Sequence, residues 1–231
     1  MITTIEAAAR HFADHGWLKT FWLFSFDDYY DPNNVNFSSL RVFNDDTIAP
    51  HSGFPLHGHR EMEIVTIMLA GELTHEDSLG NRAVIRRGDI QRMTAGRGIR
   101  HSEFNHGSED VKLYQLWIEP RTKGLAPGFA EHNFLAAPSA GGLEPLASGE
   151  AGVTAPLSIN ADVTIYRASF VGGERIERRT SGRSIFLYVT EGSVRINGAP
   201  CGPGDQARVV GEDLVVIESP GQASGVLVDL P

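Results

Sequence analysis

The residues best suited to chemistry fall in two short stretches. The first is Pro55-Leu56-His57-Gly58-His59-Arg60-Glu61-Met62-Glu63, and the second is Gly98-Ile99-Arg100-His101-Ser102-Glu103. In an extended strand, residues two apart project from one face. His57 and His59 then point the same way, and His101 and Glu103 form a second such pair. Neighbouring strands carrying these pairs would bring three imidazoles and a carboxylate to one point. Three nitrogens and one oxygen suit iron, manganese, nickel, copper or zinc rather than calcium or magnesium. Glu61 and Glu63 share the parity of His59 and compete with Glu103 for the fourth place. All nine histidines lie at or before His132, so metal chemistry belongs to the first half of the chain.

The elements that must hold these residues are short strands. Segments 18–26 and 37–43 are rich in aromatic and β-compatible residues, and a polar loop separates them. Segments 62–69, 72–76, 82–86, 90–93 and 111–119 follow, divided by turn signals such as Ala70-Gly71, Leu79-Gly80-Asn81, Arg87-Gly88-Asp89 and His106-Gly107-Ser108. This rhythm predicts an all-β sandwich or barrel. Thr3 with Glu6 fits a capping box and predicts a short N-terminal helix to about Phe12, ended by Gly16. Residues 120–158 are rich in Pro, Gly, Ala and Ser and read as a connector, with no strand pattern before Val153. Strands resume at 163–170, 185–189, 193–196, 207–210, 214–218 and 225–229. The expected division is therefore a first module over 1–135, a connector over 136–158 and a second module over 159–231.

The phrasing of the two halves repeats. Residues 64–69 before Ala70-Gly71-Glu72 parallel 185–189 before Thr190-Glu191-Gly192-Ser193, and Gly88-Asp89 parallels Gly204-Asp205. This reads as an internal duplication of one β module. Counting back from Gly192 as His57 and His59 precede Gly71 gives Arg178 and Thr180. Counting on from Gly204 as His101 and Glu103 follow Gly88 gives Ile217 and Ser219. None of the four is a good metal ligand, so the second module is expected to lack a metal.

Composition excludes several classes. Of 231 residues, 29 are acidic and 20 basic, for a formal charge of −9, which argues against binding nucleic acid or an anionic membrane. The chain starts without a basic segment followed by an apolar run, and no stretch approaches the roughly 20 apolar residues of a membrane span. The reading is a cytoplasmic protein, and the single Cys201 agrees with a reducing compartment.

The motifs resemble the cupin superfamily. Gly53-x3-His57-x-His59-x3-Glu63-x7-Gly71 is similar to its first motif, and Gly88-x5-Thr94-x-Gly96-x4-His101-x3-Asn105 to its second. Within it, Phe54-Pro55-Leu56-His57-Gly58-His59-Arg60, His75-Glu76-Asp77-Ser78 and Met93-Thr94-Ala95-Gly96-Arg97-Gly98-Ile99-Arg100-His101-Ser102-Glu103 closely resemble the pirins. The resemblance implies two tandem cupin (double-stranded β-helix, jelly-roll) barrels, with metal in the first alone. It implies His57, His59, His101 and Glu103 as ligands, with Glu63 retained but not ligating. It implies one divalent transition metal, iron(II) foremost, with manganese, nickel, copper, cobalt or zinc as alternatives.

The activity implied is that of a quercetin 2,3-dioxygenase, with a flavonol or similar aromatic enol and dioxygen as substrates. Glu103 would be the catalytic residue, both binding the metal and accepting the hydroxyl proton. The alternative is a metal- or redox-sensing regulator that binds a protein partner. A metal-free cupin that binds sugars or small molecules is the third reading. The expected state is a monomer.

Remaining residues receive plainer readings. His11, His15, His75, His106 and His132 are expected on the surface or in loops, and Trp17, Phe21 and Trp22 in the core. The arginines between Arg82 and Arg100 read as solvated strand faces, and Cys201 receives no role.

Overall fold

In the computed structural model, residues 1–135 and 141–231 are described, and they form β-strands with turns between them. Among these residues no helix is long and apolar enough to cross a membrane. They divide into two compact units. One comprises residues 11–135 and 159–161, and the other residues 1–10, 141–158 and 162–231.

Each unit pairs a seven-stranded sheet with a four-stranded one. In the first unit the large sheet runs Gly128–Asn133, Asp89–Thr94, Glu63–Ala70, Val111–Ile118, Leu40–Ile48, Leu18–Trp22, His11–Asp14. Its small sheet runs Ser52–His59, Ile99–Asn105, Glu72–Asp77, Arg82–Arg86. Strands such as Glu63–Ala70 (EIVTIMLA) are almost wholly buried, as a β-branched run in the middle of a sheet should be. Leu18, Ile48, Met68, Leu73, Ile85, Val111 and Leu113 form one apolar cluster, and Ile64, Met93, Ala95 and Ile99 another.

The second unit repeats the order of the inner strands but differs at the edges of its large sheet, where Leu157–Ser158 pairs parallel with Gly142–Ser148 and the N-terminal Ile2–Ile5 takes the other edge. Its large sheet runs Ile2–Ile5, Gln206–Val209, Ser184–Glu191, Ala223–Leu230, Thr164–Phe170, Gly142–Ser148, Leu157–Ser158. Its small sheet runs Arg175–Arg179, Leu214–Glu218, Val194–Ile196, Ala199–Cys201. The all-β architecture of two tandem units is therefore as the sequence implied.

Two local expectations are corrected. The N-terminal helix is absent. Ile2–Ile5 is a strand, paired antiparallel with Gln206–Val209, and only Ala7–Ala9 turns as a 3-10 helix, with no side-chain cap from Glu6. Ile2, Thr3, Thr4 and Ile5 are β-branched, and a free sheet edge supplies their backbone partners, which outweighs a capping signal. The stretch 120–158, read as a connector, contains two strands before Val153: Gly128–Asn133, which pairs with Asp89–Thr94, and Gly142–Ser148, which pairs with Thr164–Phe170. Pro145 disguised the second, and the register shifts between Pro145 and Ala147, where the ladder can tolerate a missing N–H. Residues 136–140 of that stretch lie outside the described residues.

Candidate metal centre

Two neighbouring strands of the first small sheet bring the motif residues together. Along Ile99–Asn105 burial alternates, and Ile99, His101, Glu103 and Asn105 are all buried. The partner strand Ser52–His59 places His57 opposite His101 and His59 opposite Ile99. The register then slips, so that Glu103 faces Phe54 rather than Pro55. A bulge of this kind re-aims side chains, and here Phe54, His57 and His59 all reach one cavity despite their mixed parity. Gly53 lies so close to the neighbouring strand that an added Cβ would sit 2.2 Å from the Glu103 carbonyl oxygen.

The three imidazoles converge. Ring centroids are 4.4 Å apart for His57 and His101, 4.7 Å for His57 and His59, and 4.9 Å for His59 and His101. Their ligand-type nitrogens lie within 4.8 Å of one another. Glu103 belongs to a second group meeting the same limit, with His101 and His75. His57 Nδ1 lies 2.8 Å from the Pro55 carbonyl oxygen, so it donates there and Nε2 keeps its lone pair. Burial, reinforced by the neighbouring imidazoles His101 and His57, pushes the His59 pKa down to about 4. Burial, reinforced by His57 and His75, pushes that of His101 down to about 3. Both are neutral at pH 7, as a metal ligand must be.

Glu103 is held by a chain the sequence reading missed. Trp117 Nε1 donates to Gln115 Oε1 at 2.9 Å, and Gln115 Nε2 donates to Glu103 Oε2 at 3.1 Å. An indole N–H can only donate, so it fixes which end of the Gln115 amide faces the carboxylate. Glu103 Oε1 and His101 Nε2 are left buried without a hydrogen-bond partner. Buried polar atoms are rarely left so, and two unpartnered lone pairs beside two further imidazoles fit a cation. The competing Glu61 and Glu63 belong to neither group and do not line the cavity into which the site opens, although Glu63 Oε1 is also buried without a partner. Fully buried Glu63 accepts from Thr94, and Glu61 accepts from the Gly124 amide.

The site opens into a cavity of about 540 Å³. Trp17, Trp22, Phe26, Phe54 and Trp117 supply aromatic walls, so Trp17 and Trp22 are cavity residues as well as packing residues. Asp27, Asn44, Asp46, Glu103 and Gln115 join the histidines in its polar part, and none of its lining residues is Lys or Arg. Burial pushes the Asp46 carboxyl up to about 7. Arg60 and Arg97 are exposed and do not line this cavity.

His75 is the largest departure from expectation among the histidines. It is fully buried, stacks on Phe129 with centroids 4.7 Å apart, and lies between Asp77 and His101. Burial opposes ionisation of Asp77, but hydrogen bonds from Asn81, His75 and Leu79 outweigh it and hold its carboxyl below the usual range. The period-two rule that singled out His57 and His59 applies equally to His75 and Asp77. His106 and His132 are exposed, as expected, and His15 is exposed but borders the cavity.

The chain is similar to known proteins along its whole length. Residues 5–118 match the family described as Pirin, and residues 146–230 that described as quercetinase C-terminal cupin domain. A pirin-like protein of Caulobacter vibrioides is 42% identical over 218 residues, covering 94% of each chain. A quercetin 2,3-dioxygenase of Escherichia coli is 37% identical over 233 residues, covering 100% of this chain and 99% of its own. The solved structure of bacterial pirin YhhW in complex with nickel(II), also from Escherichia coli, matches with a TM-score of 0.94 at 37% identity. It covers 100% of this chain and 99% of that one.

Proposed function

The chain belongs to the pirin family, and from that premise we propose that it is a metal-dependent dioxygenase that opens a flavonol such as quercetin and releases carbon monoxide. His57, His59, His101 and Glu103 would hold one divalent transition metal. The observation that carries the reading is the pairing of three converging imidazoles and an unpartnered carboxylate oxygen with an aromatic cavity free of Lys and Arg. When bound, such an ion supplies Lewis acidity toward a chelating enol and redox chemistry with dioxygen.

The chain's own residues do the rest. Trp17, Trp22, Phe26, Phe54 and Trp117 offer faces and edges to a flat ring system and exclude water from it. The absence of a cationic side chain from the lining favours a neutral substrate over a carboxylate or phosphate. Glu103 Oε1, with no other partner, accepts the proton of the reacting hydroxyl. Gln115 keeps Oε2 occupied, which leaves Oε1 as the carboxylate oxygen with no other hydrogen-bond partner.

The test is aerobic turnover of quercetin by protein loaded in turn with iron, manganese, nickel, copper or cobalt, followed at the flavonol absorbance with detection of carbon monoxide. Glu103→Gln with metal retained should lose turnover. Unchanged turnover in that variant would remove the proton-acceptor role. Failure with every metal would leave the metal-sensing reading in place of the enzyme.

A further inference from the structure

We propose that Asp77 and His75 form a relay that fixes the tautomer of His101 and so keeps its Nε2 lone pair available to a metal. This rests on the proposed ligand role of His101 and adds two positioning residues to it.

The argument is a count of donors and acceptors. Asp77 Oδ1 accepts from the backbone amides of Leu79 at 2.9 Å and Asn81 at 3.1 Å. Its Oδ2 accepts from Asn81 Nδ2 at 2.9 Å and stands 3.2 Å from His75 Nε2. A carboxylate so surrounded can only accept, so His75 carries its proton on Nε2. A neutral imidazole has one such proton, which leaves His75 Nδ1 as an acceptor. That atom lies 3.4 Å from His101 Nδ1, in a fully buried setting with no competing donor at either ring atom among the described hydrogen bonds. His101 must then carry its proton on Nδ1, and its Nε2 keeps a lone pair. The Nε2 atom is the one the structure leaves buried and without a partner.

The strand register makes the relay. His75 and Asp77 lie two apart on Glu72–Asp77, which pairs with Ile99–Asn105 so that Asp77 faces His101 and His75 faces Glu103. The hydrogen-bonded partner of a ligating histidine selects which nitrogen binds the metal. Here that partner is a second histidine, set in turn by a carboxylate held in the turn that follows it. The Phe129 ring stacked on His75 keeps its plane from rotating out of line.

The experiment reads the tautomers directly. Long-range ¹H–¹⁵N correlation of metal-free, full-length protein labelled at histidine should show His75 protonated on Nε2 and His101 on Nδ1. This spectrum needs neither metal binding nor flavonol turnover, so it fails separately from the proposed activity. A proton on His101 Nε2, or on His75 Nδ1, would overturn the proposal.

Asp77→Asn, which can donate where the carboxylate accepted, should reverse both tautomers. It should lower nickel(II) affinity, measured by chelator competition, by about 10- to 100-fold. His75→Gln, whose amide can donate to Asp77 and accept from His101, should bind nickel(II) more tightly than His75→Leu. Equal affinity in those two variants would count against the relay. So would a loss in His75→Gln as complete as that in His57→Ala, which would make His75 a ligand itself.

Discussion

The two units run one order of inner strands through two interiors of opposite character. In the first, Ser52–His59 beside Ile99–Asn105 turns imidazoles and a carboxylate toward an open cavity. In the second, the corresponding pair is Arg175–Arg179 beside Leu214–Glu218. There Val215 and Ile217 join Ile185, Leu187, Val194, Ile196 and Leu227 in a buried apolar cluster. Arg178, which the repeat aligns with His57, pairs with fully buried Asp229 together with Arg183. Thr180 donates to the Glu212 carbonyl, and the Ser219 hydroxyl to the carbonyls of Ser193 and Gly221. The difference teaches that the fold does not require a metal. One copy packs its barrel with apolar side chains and gives the polar residues at the ligand-equivalent positions partners of their own. The other leaves lone pairs unpartnered and space open, an arrangement that sacrifices stability for chemistry.

That comparison can be broken or sharpened by substitution. The largest effect should come from His57→Ala or His59→Ala, which should abolish stoichiometric metal by elemental analysis and leave the cooperative melting of the second unit intact. Ile217→Ala should do the reverse. It should destabilise the protein by roughly 2–5 kcal/mol in denaturant unfolding, from lost burial and a residual cavity, with metal content unchanged. Metal loss in Ile217→Ala would mean that the two interiors are not independent.

Gln115→Leu should be smaller. It removes the donor to Glu103 Oε2 and should weaken metal affinity or turnover by about 10-fold or somewhat more, with the fold retained by circular dichroism. A pH-dependent test concerns Asp46. Its carboxyl is held up near 7, so the folded protein keeps a proton that the unfolded chain releases above about 4. Wild type therefore loses stability relative to Asp46→Asn as pH rises from about 4 to 7, by at most about 1.4 kcal/mol per pH unit, and the gap is constant above that window. A gap independent of pH would show that Asp46 is ionised throughout.

Much of the site was legible because strand geometry is local. Alternation alone put His57 with His59 and His101 with Glu103, and the structure brings all three histidines together. The same rule held the pairs His75 with Asp77 and Gln115 with Trp117. They passed unnoticed because a lone histidine or glutamine shows nothing in sequence of the group it faces. Trp17 and Trp22 were read as core for the same reason, since a large aromatic side chain looks alike whether it lines a cavity or fills one. The N-terminal strand was misread because its partner, Gln206–Val209, lies at the other end of the chain.

The chain by itself determined which donor atoms exist, how they alternate along their strands, and that one half of a repeated β module carries them while the other does not. Only the tertiary structure decided which lone pairs remain free. The slip in register beside Pro55 sets which side chains enter the cavity. Contacts among Glu72–Asp77, Ile99–Asn105 and Val111–Ile118 determine which nitrogen and which carboxylate oxygen have no partner. The physical reason is that the side-chain period of a strand belongs to the strand alone, whereas a hydrogen bond belongs to two groups that folding must first bring together.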